Sequence, residues 1–205
     1  MSIDLKRTGL LIVDPQNDFL SDGGVVWDLV GAIVKENQVV PHLVQLLKAA
    51  TDAGIPVVYS PHYYTDNEFE SWKHLNPIDQ LMFDRKMFRT GTWGSEFHPD
   101  LQPEGNTYVA SPHKALSGFW TNDVGIQLRQ RNVDTIILAG MSANLCVESH
   151  LRDAEENGFE VFVVKDATAG PGPEATQAAY INYGLIANGV VTTDEIVATL
   201  KEAVG

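Results

Sequence analysis

The chain has 205 residues, of which 44% are hydrophobic, and a formal net charge of −13 at pH 7. This composition predicts one globular domain over residues 1–205, large enough to bury a core without covalent staples. The acidic balance argues against nucleic acid and anionic membranes as partners. A single cysteine excludes an intrachain disulfide and fits a reducing compartment.

No apolar run approaches the roughly 20 residues that a membrane-spanning helix needs. The first residues also lack the apolar stretch and small-residue cleavage site of a signal peptide. We therefore expect a cytoplasmic protein.

Short apolar runs alternate with amphipathic segments along the whole chain. The runs are nearly continuous in apolar character, as expected for strands that are covered on both faces. They lie at residues 9–13, 56–60, 107–110, 135–139, 159–164 and 189–191. Segments with helical spacing lie between them, at residues 40–53, 122–130, 145–156 and 173–183, and a last one opens at residue 193. This alternation predicts an α/β fold, a three-layer αβα arrangement around a doubly wound, mostly parallel, Rossmann-like sheet of about six strands.

Residues 61–102 depart from this pattern, because they are aromatic, rich in proline and glycine, and without clear periodicity. Ligand sites of such folds lie beyond the carboxyl ends of the strands. We therefore predict a long active-site loop here, which follows the second strand and borders the substrate. The alternative is a surface excursion that only packs against the domain.

Three residues with reactive side chains follow three of the predicted strands. Asp14 ends the first strand, Lys114 follows the third, and Cys146 begins a helix after the fourth. Amide groups and the dipole at a helix start favour a thiolate and can hold an oxyanion. Position alone leaves open simpler roles, namely a turn carboxylate, a solvated lysine and a small buried core thiol.

Three sequence blocks resemble the isochorismatase-like cysteine hydrolases, which include nicotinamidases, N-carbamoylsarcosine amidohydrolase and ureidoacrylate-type hydrolases. Residues 14–19 read D-P-Q-N-D-F and are similar to the family's D-x-Q-N-D-F signature. Lys114, followed by Ser117 and Phe119, resembles the second block, and residues 140–147 resemble the third, which ends in C-V. The blocks occur in the family's order, and the similarity spans nearly the whole chain.

The resemblance implies a catalytic triad of Asp14, Lys114 and Cys146. In such enzymes the aspartate takes the thiol proton, while the lysine holds the aspartate and stabilises the thiolate. The resemblance also implies a cis peptide bond between Met141 and Ser142, with the amides of Ser142 and Cys146 as the oxyanion hole. The implied reaction cleaves a C–N bond of a small amide or N-carbamoyl compound through a thioester, and relatives usually form homo-oligomers.

We expect neither a metal nor an organic cofactor. The D-x-H-x5-H motif by which nicotinamidases bind a metal is missing, because the next histidine after His62 is His74, twelve residues further on. The glycines form no dinucleotide or phosphate fingerprint. This departure argues against nicotinamidase activity.

We predict that Phe19, Trp93 and Phe119 form an apolar wall of the substrate site and that His62 adds a polar contact. The cations in residues 84–89 either attract a carboxylate substrate or form a solvated, self-paired surface segment.

Two other functions remain open. One is hydrolysis of a vinyl ether, as in isochorismatases, although retention of Cys146 argues against it. The other is a non-catalytic binding or redox-sensing protein whose cysteine oxidises without turnover.

Overall fold

One parallel sheet organises the computed structural model, which describes residues 3–205. Its strands are β1 (Thr8–Val13), β2 (Val57–Ser60), β3 (Thr107–Val109), β4 (Thr135–Met141), β5 (Glu160–Ala169) and β6 (Gly189–Val191). They lie in the order β3-β2-β1-β4-β5-β6, and every neighbouring pair is parallel. This order confirms the predicted doubly wound sheet, and its direction of winding reverses between β1 and β4.

Helices cover both faces of the sheet. They are α1 (Asn17–Leu20), α2 (Trp27–Glu36), α3 (Val39–Asp52), α4 (Asp66–Ser71), α5 (Pro77–Asp84), α6 (Gly118–Thr121), α7 (Val124–Arg129), α8 (Glu148–Glu156), α9 (Pro173–Ile186) and α10 (Thr193–Val204). A π-helical turn, Ala143–Val147, leads directly into α8. Within the described residues, none of these helices combines the length and the apolar character that crossing a membrane requires.

Alternate residues of each central strand belong to two separate cores. In β1, Leu10 and Ile12 pack with α2, α3 and α10, whereas Leu11 and Val13 pack with α7, α8 and α9. Successive side chains of a strand point to opposite faces, so an uninterrupted apolar strand fills both layers. The continuous apolar run that predicted β1 therefore reflects burial on both sides.

The segment 61–102 differs from the predicted long loop, because it contains α4, α5 and two 3-10 turns, Trp93–Ser95 and Pro99–Leu101. A capping box between Thr65 and Glu68 starts α4, and the side chain of Asn76 caps α5 ahead of a proline in its first turn. These helices have only six and eight residues, too few to show a clear period in the sequence. Phe83 and Phe88 anchor the segment in the core below the sheet edge.

Gly140 lets β1 and β4 approach each other at the end that carries the site. Its φ is +113°, and a Cβ atom there would collide with the carbonyl oxygen of Val13 and lie 2.6 Å from its nitrogen. The register between β4 and β5 also shifts next to it, between Leu138 and Gly140. A side chain at this position would push apart the two strands from which Asp14 and Cys146 extend.

We expect Gly140→Ala to lower the free energy of unfolding by at least about 2 kcal/mol, because it combines a backbone clash with an unfavourable φ. Gly184→Ala is the matched control, since Gly184 lies in α9 and a Cβ atom added there would meet no other atom within 4 Å. Alanine there should stabilise the helix by about 0.5–1 kcal/mol. Urea unfolding followed by circular dichroism measures both, and equal effects would contradict the proposed clash.

Candidate active site

Four buried side chains converge at the point where the strand order reverses. Asp14 follows β1, His62 follows β2, His113 follows β3, and Cys146 lies in the π-helical turn after β4. One donor atom from each lies within 4.8 Å of the others, and no side chain of the four is more than 3% exposed. A crevice at this position is where doubly wound folds bind their ligands.

A hydrogen bond between His113 and Asp14 holds the carboxylate. The Nε2 atom of His113 lies 2.8 Å from Oδ1 of Asp14, and both side chains are fully buried. Because a carboxylate accepts, Nε2 carries the proton. Oδ2 of Asp14 has no hydrogen-bond partner among the described residues. Asp14 also has a φ of +48°, a strained value that is common at functional sites.

Lys114 points away from this cluster. Its Nζ atom lies 2.8 Å from Oε1 of Glu68 and also donates to the carbonyl oxygen of Tyr63. The chain around His113 is extended and forms a parallel bridge with His62, so neighbouring side chains point to opposite sides. The structure therefore brings Asp14 and Cys146 together as predicted, but places His113 rather than Lys114 beside the carboxylate.

The environment of Cys146 keeps its thiol protonated. Burial raises the pKa of the thiol well above its usual value, and the nearby carboxylate of Asp14 raises it further. Hydrogen bonds from the backbone of Ser142 and Cys146 to the sulfur act in the opposite direction and are weaker. Backbone amides at the helix start thus lower the pKa of the thiol as expected, but the rise caused by burial is larger.

The amides of Ser142 and Cys146 flank the sulfur, where an oxyanion hole requires donors. The peptide bond between Met141 and Ser142 is cis, and the π-helical turn begins immediately after it. Tyr183 of α9 donates from its hydroxyl group to the carbonyl oxygen of Ala143 and so fixes the turn from below. π-Helical turns inside helices are frequently found at functional sites.

His150 links three elements around the nucleophile. Its Nδ1 atom donates to the carbonyl oxygen of Cys146 over 2.7 Å, and its Nε2 atom accepts from the amide of Gly118 at 3.0 Å and contacts Oγ of Ser60 at 3.0 Å. Burial lowers the pKa of His150 to about 3, so the ring is neutral. His150 was not among the site residues predicted from the sequence, although its i+4 spacing from Cys146 on one helix was a visible signal.

His62 is neutral and lies against the other rings of the cluster. Its ring stacks on Phe88 with centroids 4.9 Å apart and lies 4.3 Å from the ring of His113. Burial lowers the pKa of His62 well below its usual value. Neither ring nitrogen has a hydrogen-bond partner among the described residues. His62 thus presents free polar atoms to the site, which is consistent with the polar contact predicted for it.

An apolar cavity opens beside the thiol and encloses about 450 Å³ of empty space, part of it open to solvent. Its walls are Phe19, Val26, Leu29, Val30, Ile78, Leu81, Met82, Met87, Phe88, Leu116, Ser142, Leu145, Cys146 and Pro171.

The three aromatic residues predicted for the substrate wall have different positions. Only Phe19 lines the cavity. Trp93 is 48% exposed and contributes its carbonyl oxygen to a hydrogen bond from Asn17. Phe119 packs edge-on against Phe159, with ring centroids 5.7 Å apart. Hydrophobic side chains in a chain segment near the site are therefore not sufficient to identify its wall.

The cluster also has the donor types of a metal site. One thiol, two imidazoles and one carboxylate suit a divalent transition ion such as Zn²⁺. In the sequence, the next histidine after His62 is His74. In the fold, His62 lies beside His113, with which it forms a parallel bridge. Such an ion would occupy the same sulfur and carboxylate that nucleophilic chemistry needs, so the two uses exclude each other.

Comparisons with known proteins agree with the resemblance of the three sequence blocks. A family model described as the isochorismatase domain matches residues 8–195. The chain is 30% identical over 194 residues to the ureidoacrylate amidohydrolase RutB of Methylorubrum extorquens, covering 86% of this chain and 75% of that protein. It resembles a cysteine hydrolase structure from Pseudomonas syringae pv. phaseolicola, with a TM-score of 0.85, 24% identity and coverage of 99% and 96%. For N-carbamoylsarcosine amidase from Thermoplasma acidophilum, the TM-score is 0.68, the identity 25% and the coverage 92% and 97%.

We expect the alkylation rate of Cys146 by iodoacetamide to rise continuously through pH 9, because the thiol is protonated at neutral pH. Asp14→Asn should shift this titration to lower pH, since it removes the charge that raises the pKa. The chain has one cysteine, so intact mass reports this residue alone. Asp52→Asn, at an exposed position, is the control and should leave the profile unchanged. Full reactivity at pH 6 in the unmodified chain would contradict a protonated thiol.

Proposed function

The chain belongs to the isochorismatase family, and on this premise we propose that it is a cysteine-dependent amidohydrolase. It cleaves a non-peptide C–N bond of a small amide or N-carbamoyl compound through a thioester. One observation carries the proposal: the sulfur of a buried thiol lies within 4.8 Å of an oxygen of a buried carboxylate, and two backbone amides lie at the sulfur. This arrangement combines a nucleophile, a base and an oxyanion site.

The first half of the reaction forms the thioester. Asp14 takes the proton of the Cys146 thiol as the sulfur attacks the carbonyl carbon. The amides of Ser142 and Cys146 stabilise the negative charge that develops on the carbonyl oxygen. When the intermediate collapses, Asp14 returns the proton to the nitrogen, the C–N bond breaks, and an amine or ammonia leaves.

The second half releases the acid. Asp14 accepts a proton from water, and the resulting hydroxide attacks the thioester carbonyl. The C–S bond then breaks, and the proton on Asp14 returns to the sulfur of Cys146. One water is consumed for each C–N bond, and the resting thiol is restored.

His113 is the positioning residue of this mechanism. It binds only Oδ1 of Asp14 and so leaves Oδ2 for proton transfer. In the resemblance this role belongs to a lysine ammonium, and a ring N–H provides an equivalent donor. Lys114 has a structural role instead, since its ion pair with Glu68 fixes the start of α4.

Burial of the thiol argues against the redox-sensing alternative. Redox-sensor cysteines are exposed and have a low pKa, whereas Cys146 is 3% exposed and has a raised pKa. A nucleophile that is deprotonated only when a substrate is present is protected from oxidation between turnovers.

We also propose that the protein works as a cytoplasmic homo-oligomer and uses neither metal nor organic cofactor, with no nucleic acid or membrane as partner. Apolar side chains on the surface support association of subunits. Leu185 is 82% exposed and Ile181 59% exposed, both on α9, and Trp120 is 81% exposed on α6. The net charge of −13 supports the exclusion of nucleic acid.

Ammonia release from a panel of amides and ureido compounds tests the activity. We expect Cys146→Ala to lower kcat by on the order of 10⁴-fold or more, because it removes the nucleophile. Asp14→Asn should fold and lose at least about 10³-fold, because it removes the base. EDTA should leave the rate unchanged. Activity that survives Cys146→Ala would rule out the covalent mechanism, and loss of activity in EDTA would indicate a metal.

The separate roles of His113 and Lys114 give a second test. We expect His113→Ala to lower kcat by about 10²-fold or more with little change in KM, because it frees the carboxylate to rotate. His113→Lys should restore part of kcat, since an ammonium group can donate to Oδ1. Lys114→Met should cost less than about tenfold, because it breaks a partly exposed ion pair with Glu68 and a hydrogen bond to Tyr63 but removes no group beside Asp14. A larger loss of kcat for Lys114→Met than for His113→Ala would show that Lys114, not His113, assists Asp14.

A further inference from the structure

We infer that the substrate is a primary carboxamide with an uncharged hydrocarbon acyl group, rather than a carboxylate-bearing ureido or carbamoyl acid. This inference rests on the proposed function and specifies its substrate class. It follows from the two unlike surroundings of Cys146: a closed polar cluster on one side of the sulfur and an apolar cavity on the other.

The polar cluster determines where the nitrogen of the substrate lies. Asp14 must protonate the leaving nitrogen, so this atom faces the side of Asp14, His62 and His113. None of these three residues lines the apolar cavity. All three are completely buried, and their donor atoms lie within 4.8 Å of one another and of the sulfur. So little space accommodates ammonia as the leaving group and not a substituted amine.

The acyl substituent then extends into the apolar cavity. Leu29 of α2, Leu81 and Met82 of α5, and Leu116 are among the side chains that form its walls. Among the described residues that line it, the only polar side chains are those of Ser142 and Cys146, next to the reacting carbonyl. A carboxylate placed in these surroundings would lose its hydration and gain no partner in return.

Two arginines and a lysine that lie near these walls in sequence already pair with carboxylates. Arg85 binds both carboxylate oxygens of Asp28, at 2.6 and 3.1 Å, and also the carbonyl oxygen of Val25. Arg89 pairs with Asp66, and Lys114 pairs with Glu68. Residues 84–89 are therefore not self-paired, because their arginines pair with Asp28 of α2 and Asp66 of α4, and Lys86 lies over the ring of Phe69. None of these cations lines the cavity, so none is placed there to bind an anionic substrate.

This polarity also favours release of the product. Hydrolysis of R–CO–NH₂ with one water gives R–COO⁻ and NH₄⁺, so the acyl product becomes an anion at the mouth of an apolar cavity and near the carboxylate of Asp14. Neither the cavity walls nor Asp14 stabilises this charge. The relatives are named for ureidoacrylate and N-carbamoylsarcosine, which both carry a carboxylate already before the reaction. The apolar walls of this cavity therefore favour an uncharged substrate, unlike the anionic compounds for which those relatives are named.

The experiment compares two amides of the same length, pentanamide and succinamate, which differ in a terminal ethyl group or carboxylate. We expect kcat/KM for pentanamide to exceed that for succinamate by on the order of 100-fold or more. From propanamide to pentanamide, each methylene should raise kcat/KM by about fourfold, as expected for burial in an apolar cavity. Ureidoacrylate and N-carbamoylsarcosine are measured beside them. Faster turnover of the three anionic compounds would overturn the substrate class and leave the amidohydrolase activity intact.

A substitution that places a cation at the cavity rim also tests whether the acyl group of the substrate lies in this cavity. Leu29 is 36% exposed at the rim, and Leu29→Arg should lower the preference for pentanamide over succinamate by about tenfold or more. Leu29→Met keeps the wall apolar and should keep the preference. Leu185→Arg, on the exposed face of α9, controls for the added charge and should also keep it. An unchanged preference in Leu29→Arg would contradict the placement of the acyl group.

Binding provides a measurement that does not depend on turnover. Calorimetry on Cys146→Ala should show pentanamide binding at least about tenfold more tightly than succinamate, because the walls remain while the chemistry is removed. Equal or tighter binding of succinamate would overturn the inference. If pentanamide binds preferentially but no compound on either panel is hydrolysed, the proposed activity fails while the cavity's preference stands.

Discussion

The candidate site is organised around one buried carboxylate and the groups that surround it. Asp14 is fully buried at the end of a central strand, and an unpaired charge there would be costly. The hydrogen bond from His113 stabilises Oδ1, and the sulfur of Cys146 lies within 4.8 Å of an oxygen of the same carboxylate. In the proposed mechanism, the thiol proton therefore passes between two groups that the fold already holds close together.

The sheet makes this contact possible. β1 and β4 are neighbours in space but are separated by more than 120 residues in the chain, and Gly140 permits their ends to approach closely. Reversal of the strand order at this pair opens a crevice whose two sides carry Asp14 and Cys146. The polar half of the site is built from strand ends, whereas the apolar half is built from α2, α5 and the turn after β4.

Local patterns predicted the parts of the protein that repeat simple physical rules. Six apolar runs became six parallel strands, and the signal is clearest in β1, β2 and β4, which are buried on both faces, whereas the edge strands β3 and β6 are partly exposed. Strand ends and helix starts made Asp14 and Cys146 candidates, but position alone left simpler roles open, and the resemblance of the three sequence blocks selected them. The choice between His113 and Lys114 was not readable, since it depends on which of two neighbours in an extended segment faces inward. Substrate contacts were least predictable, because the walls come from helices distant in the chain, and two of the three selected aromatics pack elsewhere.

His150 makes the folded state less stable at low pH, in addition to its structural role. Its neutral ring joins the helix that carries Cys146 to the turn at Gly118 and to the end of β2. The pKa of its ring falls from 6.5 to about 3 in the folded protein. Between these values the unfolded chain binds a proton at this ring and the folded chain does not. The contribution of this ring to stability is complete above about pH 6.5 and declines as acidity increases toward pH 3. The hydrogen bonds that His150 makes around Cys146 therefore suit a near-neutral environment. Acid lowers the free energy of unfolding, because the unfolded chain binds a proton at this ring.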